Sequence, residues 1–519
     1  MPEEEISTMS ITQAIHRGKH LYPEKPALVC GDRTVNYGEV HDLVSRGAAV
    51  LQSLDSSPAA RVGILSLNSD RAILAFHAAI WAGRVPNYLN IRWAAFELSQ
   101  SIDDFEPSVL MVDDAFLEVG REMLKRCDSV KSLIYIGEQP AAPEKTLHWV
   151  GSIAAAAPLV DSAVGNDEMA FLNYTGGTTG KSKGVIHTHN THMAALMTCM
   201  AEGFFQRGTC AMVTPLFHIS GIAVSNASLM MGNTLYMLPA FDPGKFLQLV
   251  QNAAIEYTFI VPTMIKMVLD HPEFSSFDIA SWEYITYGAS SIDEALLLRA
   301  REQLPGVSFM QIYGQTEGLP ASLMFDADHR EAGFASGRTR SAGIPPLGME
   351  LKIIDVNGAS LPRGEVGEIC MRGPSLMKGY LNMPVQSAAA LQDGWLHTGD
   401  AGYVNEDDFL YIVDRIKDMI ISGGENVYSA EVENALARHQ AVQSCAVVGL
   451  PHEKWGEVVH ADVVLCPSAS TTEEALITHC REYIAGYKLP KSISFVEAIP
   501  LTPVGKVDKV KIRQKYSER

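Results

Sequence analysis

Met169-Ala-Phe-Leu-Asn-Tyr-Thr-Gly-Gly-Thr-Thr-Gly-Lys-Ser-Lys-Gly184 runs a strand-like apolar segment straight into a loop dense in glycine, threonine and lysine. Gly176, Gly177 and Gly180 permit positive φ and close approach of backbone amides to a ligand. Thr175, Thr178 and Thr179 add hydroxyls, and Lys181 and Lys183 add positive charge. Such a loop can wrap the β- and γ-phosphates of a nucleotide. It is not a Walker A loop, which needs G-x-x-x-x-G-K-[ST]. Counting back from Gly180-Lys181-Ser182, the first glycine should stand at position 175, which is threonine. The plainer alternative, a Gly/Thr-rich hairpin, leaves the two lysines at its end without a purpose.

Outward from this loop, short β-rich apolar runs alternate with helical patterns. Residues 61–67, 108–114, 132–138, 257–263, 284–290 and 308–314 read as buried strands. Helical periodicity covers 71–83, 244–254 and 293–304, the last opened by Ser291 with Glu294 as a capping box. This alternation predicts right-handed βαβ units and mostly parallel sheets. After about residue 345 the pattern changes to closely spaced strands at 349–356 and 367–373, an antiparallel or barrel-like piece. The last hundred residues read as a small α+β domain. Residues 416–519 hold 12 basic and 13 acidic side chains, net −1, against −18 for the remainder. The expected architecture is α/β. A large N-terminal domain, 1–415, has two βαβ-type subdomains and a small β-barrel; a small mobile C-terminal domain follows at 416–519. The final stretch from Lys506 carries six basic residues against two acidic ones, either a solvated helix end or a positive arm for a phosphate.

Composition sets the class. The 519 residues are 47% hydrophobic and 19% charged, with a net charge of −19, which argues against non-specific nucleic-acid binding. No apolar run approaches the ~18 residues that span a bilayer. The start, MPEEEIS, is acidic where a secretory signal would be basic. Eight cysteines stand singly with no C-x-x-C pair, as in a reducing compartment without disulfides or zinc. A cytoplasmic enzyme is the expectation. His187-Thr-His-Asn-Thr-His192 offers three imidazoles, but their spacing does not share one helical face and no carboxylate or Cys completes a metal set. They read as helix-start histidines.

The loop Tyr174-Thr-Gly-Gly-Thr-Thr-Gly-x-x-Lys-Gly184 resembles the phosphate loop of the acyl-adenylate-forming superfamily, which includes acyl-CoA synthetases, peptide-synthetase adenylation domains and luciferases. Gly176 stands where that family usually has serine, one hydroxyl fewer. Other motifs of the family follow in order: Pro215-Leu-Phe-His-Ile-Ser-Gly221, Tyr313-Gly-Gln-Thr-Glu317, Gly394-Trp-Leu-His-Thr-Gly-Asp400, Asp414-Arg-Ile-Lys-Asp418, Gly423-Gly-Glu-Asn426 and Pro503-Val-Gly-Lys506. The likeness runs from about residue 10 to the end.

The resemblance implies a two-step reaction. A carboxylate attacks the α-phosphate of ATP, giving an acyl-adenylate and pyrophosphate, and a thiol then displaces AMP. It assigns Tyr313 to the adenine face, with Gly288, Ala289 and Ser290 beside it and Gly314 next in the motif. Thr316 donates to the α-phosphate, Glu317 binds Mg²⁺, and Asp400 and Arg415 bind the ribose. Lys506 becomes the lysine of adenylation, and Lys417 the hinge about which the small domain turns between half-reactions. Gly423 and Gly424 let the pantetheine of CoA pass; Trp455 stacks on the CoA adenine and Lys491 meets a CoA phosphate, with a core tryptophan and a solvated lysine as alternatives. His218 gates the tunnel between acyl pocket and thiol. The acyl pocket falls to Ile219, Ser220, Phe259, Gly288, Ala289, Ile312, Gly314 and Leu319. None is charged, so a second buried charge on the substrate would go unpaired. The expected substrate is a hydrophobic monocarboxylic acid, fatty, alicyclic or aromatic, with ATP, Mg²⁺ and CoA. Two rivals stand beside it: an acyl-AMP ligase serving a carrier protein, and a non-catalytic nucleotide-binding relative. A homodimer is compatible with either.

Overall fold

The computed structural model describes residues 9–141, 143–175, 182–415, 418–422, 425–452, 455–502 and 507–517. They fall into two compact units. One comprises the described residues of 1–177, 182–351 and 371–396, and the other those of 352–370 and 397–519.

The first unit is built on two eight-stranded sheets. One runs Gly318–Met324, Ser308–Gln315, Tyr284–Gly288, Tyr257–Ile260, Thr209–Met212, Thr234–Met237, Pro26–Cys30 and Arg33–Asn36. Its six inner strands are parallel, and the strand at each edge is antiparallel. The other runs Gly379–Tyr380, Lys183–Thr188, Met169–Thr175, Val85–Tyr88, Arg61–Leu65, Val109–Val112, Ser132–Tyr135 and Leu147–His148. Buried parallel strands carry apolar side chains on both faces, and Val109 to Val112 are accordingly buried without interruption. Helices Tyr37–Leu54, Asp70–Trp81 and Ile219–Met231 contribute to one core with both sheets, including Val44, Phe76, Ile222, Ile64, Phe171 and Leu235. The apolar stretch around His77 is thus a core helix.

One local expectation is overturned. The helix expected from Ser291 begins at Glu294, and Asp293 is its N-cap, its carboxylate accepting from the Ala295 amide at 2.8 Å. A carboxylate next to the first helical residue meets the free amides better than a hydroxyl two residues further back.

The middle strands form the barrel-like piece, a five-stranded sheet in the order Glu350–Ile354, Gly367–Arg372, Trp395–Val404, Leu391–Gln392, with Leu410–Arg415 pairing on Trp395–Val404. In the second unit, a last sheet runs Glu425–Val427, Ile420–Ser422, Gly456–Leu465, Val442–His452, with Ser492–Phe495 parallel on Gly456–Leu465. Helices Ser429–Ala437 and Glu473–Cys480 cover it through Val432, Leu436 and Leu476.

Within the described part of the basic tail, most of the charge is paired inside its own unit. Helix Lys509–Ser517 buries Ile512 against Ala446 and Val448. Lys509 pairs with Glu433 at 2.9 Å, Arg513 with Asp418 at 3.0 Å and Lys515 with Asp462 at 3.2 Å. Those three cations are committed to carboxylates of their own unit. All eight cysteines are free thiols, and no helix among the described residues is long and apolar enough to cross a membrane.

Candidate active site

The glycine-rich loop joins two antiparallel strands. Thr175 lies opposite Lys183 in register, closing Met169–Thr175 against Lys183–Thr188. A Walker loop runs from a strand into a helix; here a strand follows. Tyr174, first residue of the motif, is an anchor: its hydroxyl donates to Asp104 at 2.7 Å, and burial raises its pKa. Gly176, Gly177, Thr178, Thr179, Gly180 and Lys181 lie outside the described residues.

Strand Ser308–Gln315 and strand Gly318–Met324 pair with Gln315 opposite Gly318, so Thr316 and Glu317 form a two-residue hairpin tip. Both side chains stay partly exposed. The Glu317 carboxylate accepts the Tyr380 hydroxyl at 2.9 Å, and the Lys183 ammonium stands 4.6 Å from the centre of the Tyr380 ring. Tyr380 is buried, and burial together with Glu317 raises its pKa far above the ordinary phenol range. It is therefore a neutral donor that orients the carboxylate. Lys183, Tyr380 and Glu317, from three separate segments, make one connected group. Sequence reading missed Tyr380.

Tyr313 sits on the same strand, partly buried against the cluster of Val185, Ala321, Met371 and Tyr380. Gly288 ends a parallel strand opposite Ile312. A Cβ on Gly288 would stand 2.5 Å from the Ile312 carbonyl oxygen, so only glycine fits there. Ala289 follows with φ +67°, a left-handed backbone uncommon outside glycine, and Ala289 and Ser290 are exposed. Ligand crevices of open α/β sheets lie at such carboxyl ends of parallel strands.

His218 stands at the N-cap of helix Ile219–Met231, partly exposed, its ring 4.4 Å from that of Phe217. Gly221 lets the helix start against the preceding turn, since a Cβ there would meet the Pro215 carbonyl oxygen at 2.2 Å. Ile219 and Leu319 share the wall of one small cavity with His187, Thr191, His192 and Ser375. Ser220 is partly exposed beside them in sequence. Phe259 is packed into the core, 6.1 Å from the Phe204 ring, and Ile312 packs against the same core. The three histidines of 187–192 are built into the interior. His189 Nδ1 accepts from the Ile11 amide at 3.2 Å, and the Asn226 side-chain amide meets His192 Nε2 at 2.8 Å. Burial pushes His187 down to about 3 and His189 to about 4, so all of these rings are neutral near pH 7.

In the second unit, Asp400 and Arg415 face each other across two antiparallel strands, and the Arg415 Nε donates to the Asp400 carboxylate at 2.6 Å. Asp400 is buried while Arg415 is open to solvent. Asp414 accepts from Ser429 Oγ at 2.6 Å and the Ala430 amide at 3.3 Å, so the motif caps the helix that follows it. Trp455 is 42% exposed, which removes the core reading, and Lys491 is exposed with its backbone amide donating to the Val459 carbonyl at 2.7 Å. Lys417, Gly423, Gly424 and Lys506 lie outside the described residues. Glu368, Cys370 and His397 also converge, but His397 Nδ1 is already paired with Glu368 at 2.9 Å.

The sequence matches the AMP-binding enzyme family over residues 16–381, and the AMP-binding enzyme C-terminal domain over residues 431–506. The chain belongs to the AMP-binding enzyme family. This AMP-binding enzyme is 34% identical to the medium/long-chain-fatty-acid–CoA ligase FadD8 of Mycobacterium tuberculosis, covering 100% of this chain and 93% of the relative. It is also 34% identical to the fatty acid–[acyl-carrier-protein] ligase ScoC of Streptomyces coeruleorubidus, over 99% and 97% of the two chains. Among solved structures, the amide bond synthetase McbA of Marinactinospora thermotolerans superposes with a TM-score of 0.88 at 27% identity, covering 98% of this chain and 99% of that one. The AMP-binding enzyme described here is an acyl-adenylate-forming ligase of the acyl-CoA synthetase branch.

Proposed function

We propose that this ligase converts a hydrophobic monocarboxylic acid to its acyl-CoA through an acyl-AMP intermediate. The observation that carries the reading is the joined group Lys183–Tyr380–Glu317 at the tip bearing Thr316. A carboxylate is a poor nucleophile and the phosphates of ATP repel it, so activation needs positive charge and oriented donors at the phosphates. Lys183 supplies a cation and Thr316 a hydroxyl. Glu317, partly exposed and held by Tyr380, is a hard oxygen donor that fits Mg²⁺. When bound, that ion would offset phosphate charge. Tyr313 offers its ring to adenine, Asp400 accepts ribose hydroxyls and Arg415 holds its carboxylate in place. His218, beside the acyl wall, gates the thiol path.

The assignment of residues 416–519 as a domain that turns at Lys417 belongs to the same proposal. Lys506 faces the α-phosphate while the acid is activated, and Gly423, Gly424, Trp455 and Lys491 serve CoA afterwards. The relative ScoC favours a second reading, transfer of the acyl group to a carrier protein.

The test is AMP release over a panel of carboxylic acids, with and without CoA. Acid- and CoA-dependent AMP formation with a thioester product is expected. AMP formation that needs a carrier protein instead selects the second reading, and no acid-dependent pyrophosphate release overturns both. In the same assay Lys506→Ala is expected to depress adenylate formation by about two orders of magnitude. Thioester formation from supplied acyl-adenylate should persist; equal loss in both halves overturns the two-arrangement scheme.

A further inference from the structure

Strand Gly367–Arg372 carries Glu368 and Cys370 on one face, since side chains two apart along a strand point the same way. The neighbouring strand of that sheet, Trp395–Val404, brings His397 beside them. One carboxylate oxygen, the thiol sulfur and one imidazole nitrogen all lie within 4.8 Å of one another. The three residues belong to the second unit, whereas Glu317 and its partners belong to the first. Among the described residues, no other set of three histidine, cysteine or acidic side chains converges in this way.

Part of the cluster has an ordinary explanation. The Glu368 carboxylate is paired with His397 Nδ1 at 2.9 Å and accepts the Gly399 amide at 3.1 Å. That arrangement needs no cysteine. Cys199 and Cys210 pack in the main apolar core, the usual place of a buried thiol. Cys370 is just as buried but meets a carboxylate and an imidazole instead. The 2.9 Å pair does not stand in the way of an ion. Oxygen and nitrogen ligands of one zinc ion, bonded at about 2.0–2.1 Å, themselves stand about 2.9–3.4 Å apart. Sulfur and imidazole select zinc over magnesium or calcium, which take oxygen ligands. A thiolate and a carboxylate supply the two negative charges that a divalent ion requires. The His397 and Glu368 side chains are 19% and 23% exposed, so an ion has a way in and a water can complete the shell.

We propose that Glu368, Cys370 and His397 bind one zinc ion, with a water as the fourth ligand. His397 binds as the neutral ring, the Cys370 proton leaves to solvent, and no electron changes hands. Burial and Glu368 keep that thiol protonated without an ion, while Lys352 favours the thiolate. The ion ties two adjacent strands together three residues before Asp400, and so braces the strand that carries the proposed ribose acceptor. This revises the zinc-free expectation drawn from the lack of C-x-x-C, a pattern blind to ligands on separate strands. It does not depend on which acid or thiol the ligase uses.

The experiment takes the whole chain, stripped by a chelator, and titrates it with Co²⁺ as a coloured stand-in, then with Zn²⁺. One equivalent of Co²⁺ is expected to give a thiolate-to-cobalt charge-transfer band and the visible bands of a four-coordinate ion, and Zn²⁺ should remove both. Cys370→Ser should abolish the charge-transfer band. Cys466→Ser, at a partly exposed cysteine outside the cluster, should keep it. Glu368→Gln and His397→Gln should each weaken cobalt binding by about tenfold or more. Zn²⁺ should raise the Tm of the wild type and leave that of Cys370→Ser unchanged. A wild-type chain without the band overturns the proposal. So does a band that survives Cys370→Ser, which would mean adventitious binding elsewhere. If Cys370→Ser does not fold, the glutamine variants decide, and unchanged cobalt affinity in both overturns the site.

Discussion

The cavity wall of the first unit and the Asp400–Arg415 pair of the second treat polar groups in opposite ways. Around the cavity the groups are neutral, buried and incompletely paired: the His187 ring is held uncharged and its Nε2 has no partner among the described residues. At Asp400 the carboxylate is buried but already matched by a guanidinium 2.6 Å away. The difference teaches which interactions a ligand would create and which it would join. A hydrogen bond at His187 would be new, since the described residues offer its Nε2 none. A ribose at Asp400, as proposed above, would meet an oriented carboxylate already matched by Arg415, so orientation rather than raw charge is what that pair offers.

The comparison breaks most sharply at Asp400. Asp400→Asn should lower adenylate formation by about a hundredfold, since it removes an ionised acceptor and leaves Arg415 without its countercharge. ATP–pyrophosphate exchange measures it, with Arg415→Ala and the double variant completing a cycle. If the two single effects simply add, the pair is not acting as one unit and the contrast with the cavity dissolves. A smaller change is expected at Tyr380→Phe, which deletes the donor to Glu317 but keeps the ring under Lys183. The Mg²⁺ concentration for half-maximal AMP formation should rise by about tenfold with little change in the KM for the acid. A rise in acid KM instead would move Tyr380 from the phosphate side to the acyl side.

The smallest effect concerns stability. His77 is fully buried in the core helix, and neither ring nitrogen has a partner among the described residues. Burial lowers its pKa to about 4, against about 6.5 in the unfolded chain. Below pH 6.5 the unfolded chain therefore takes up a proton that the folded one refuses. Stability is fully present above that pH and drains as pH falls toward 4. His77→Leu should raise stability by about 1 kcal/mol at pH 7 and flatten part of the acid limb, read from urea midpoints at both pH values. Loss of stability at pH 7 would show that the imidazole is matched after all, and that the cavity wall is the odd case in this core.

The strands of the first unit were legible because buried parallel strands are continuous apolar runs: 109–112 and 257–260 announce themselves locally. The motif residues were legible as residue types at fixed spacing. What escaped depends on contacts between distant segments. Tyr380 lies 63 positions from Glu317, and nothing around it marks its hydroxyl as a donor to that carboxylate. The 187–192 histidines suggested a choice between metal and helix start. Only the register that sets His187 opposite Phe171 shows that it faces inward. Ser291 with Glu294 fits the capping-box spacing, whereas the chain enters this helix two residues later, at Asp293. The tail's charge was counted correctly, but its partners Glu433, Asp418 and Asp462 are supplied by the fold.

The pairing of Arg513 with Asp418 has a mechanical consequence. Asp418 is the residue next after the Lys417 position, and Arg513 belongs to the helix that begins three residues after Lys506. An isolated bridge between Leu501 and Val507 brackets the intervening stretch. Asp418 and the helix Lys509–Ser517 are therefore clasped together by one ion pair within the second unit. Under the turn proposed at Lys417, Asp418 would carry the Lys509–Ser517 helix with it through that ion pair.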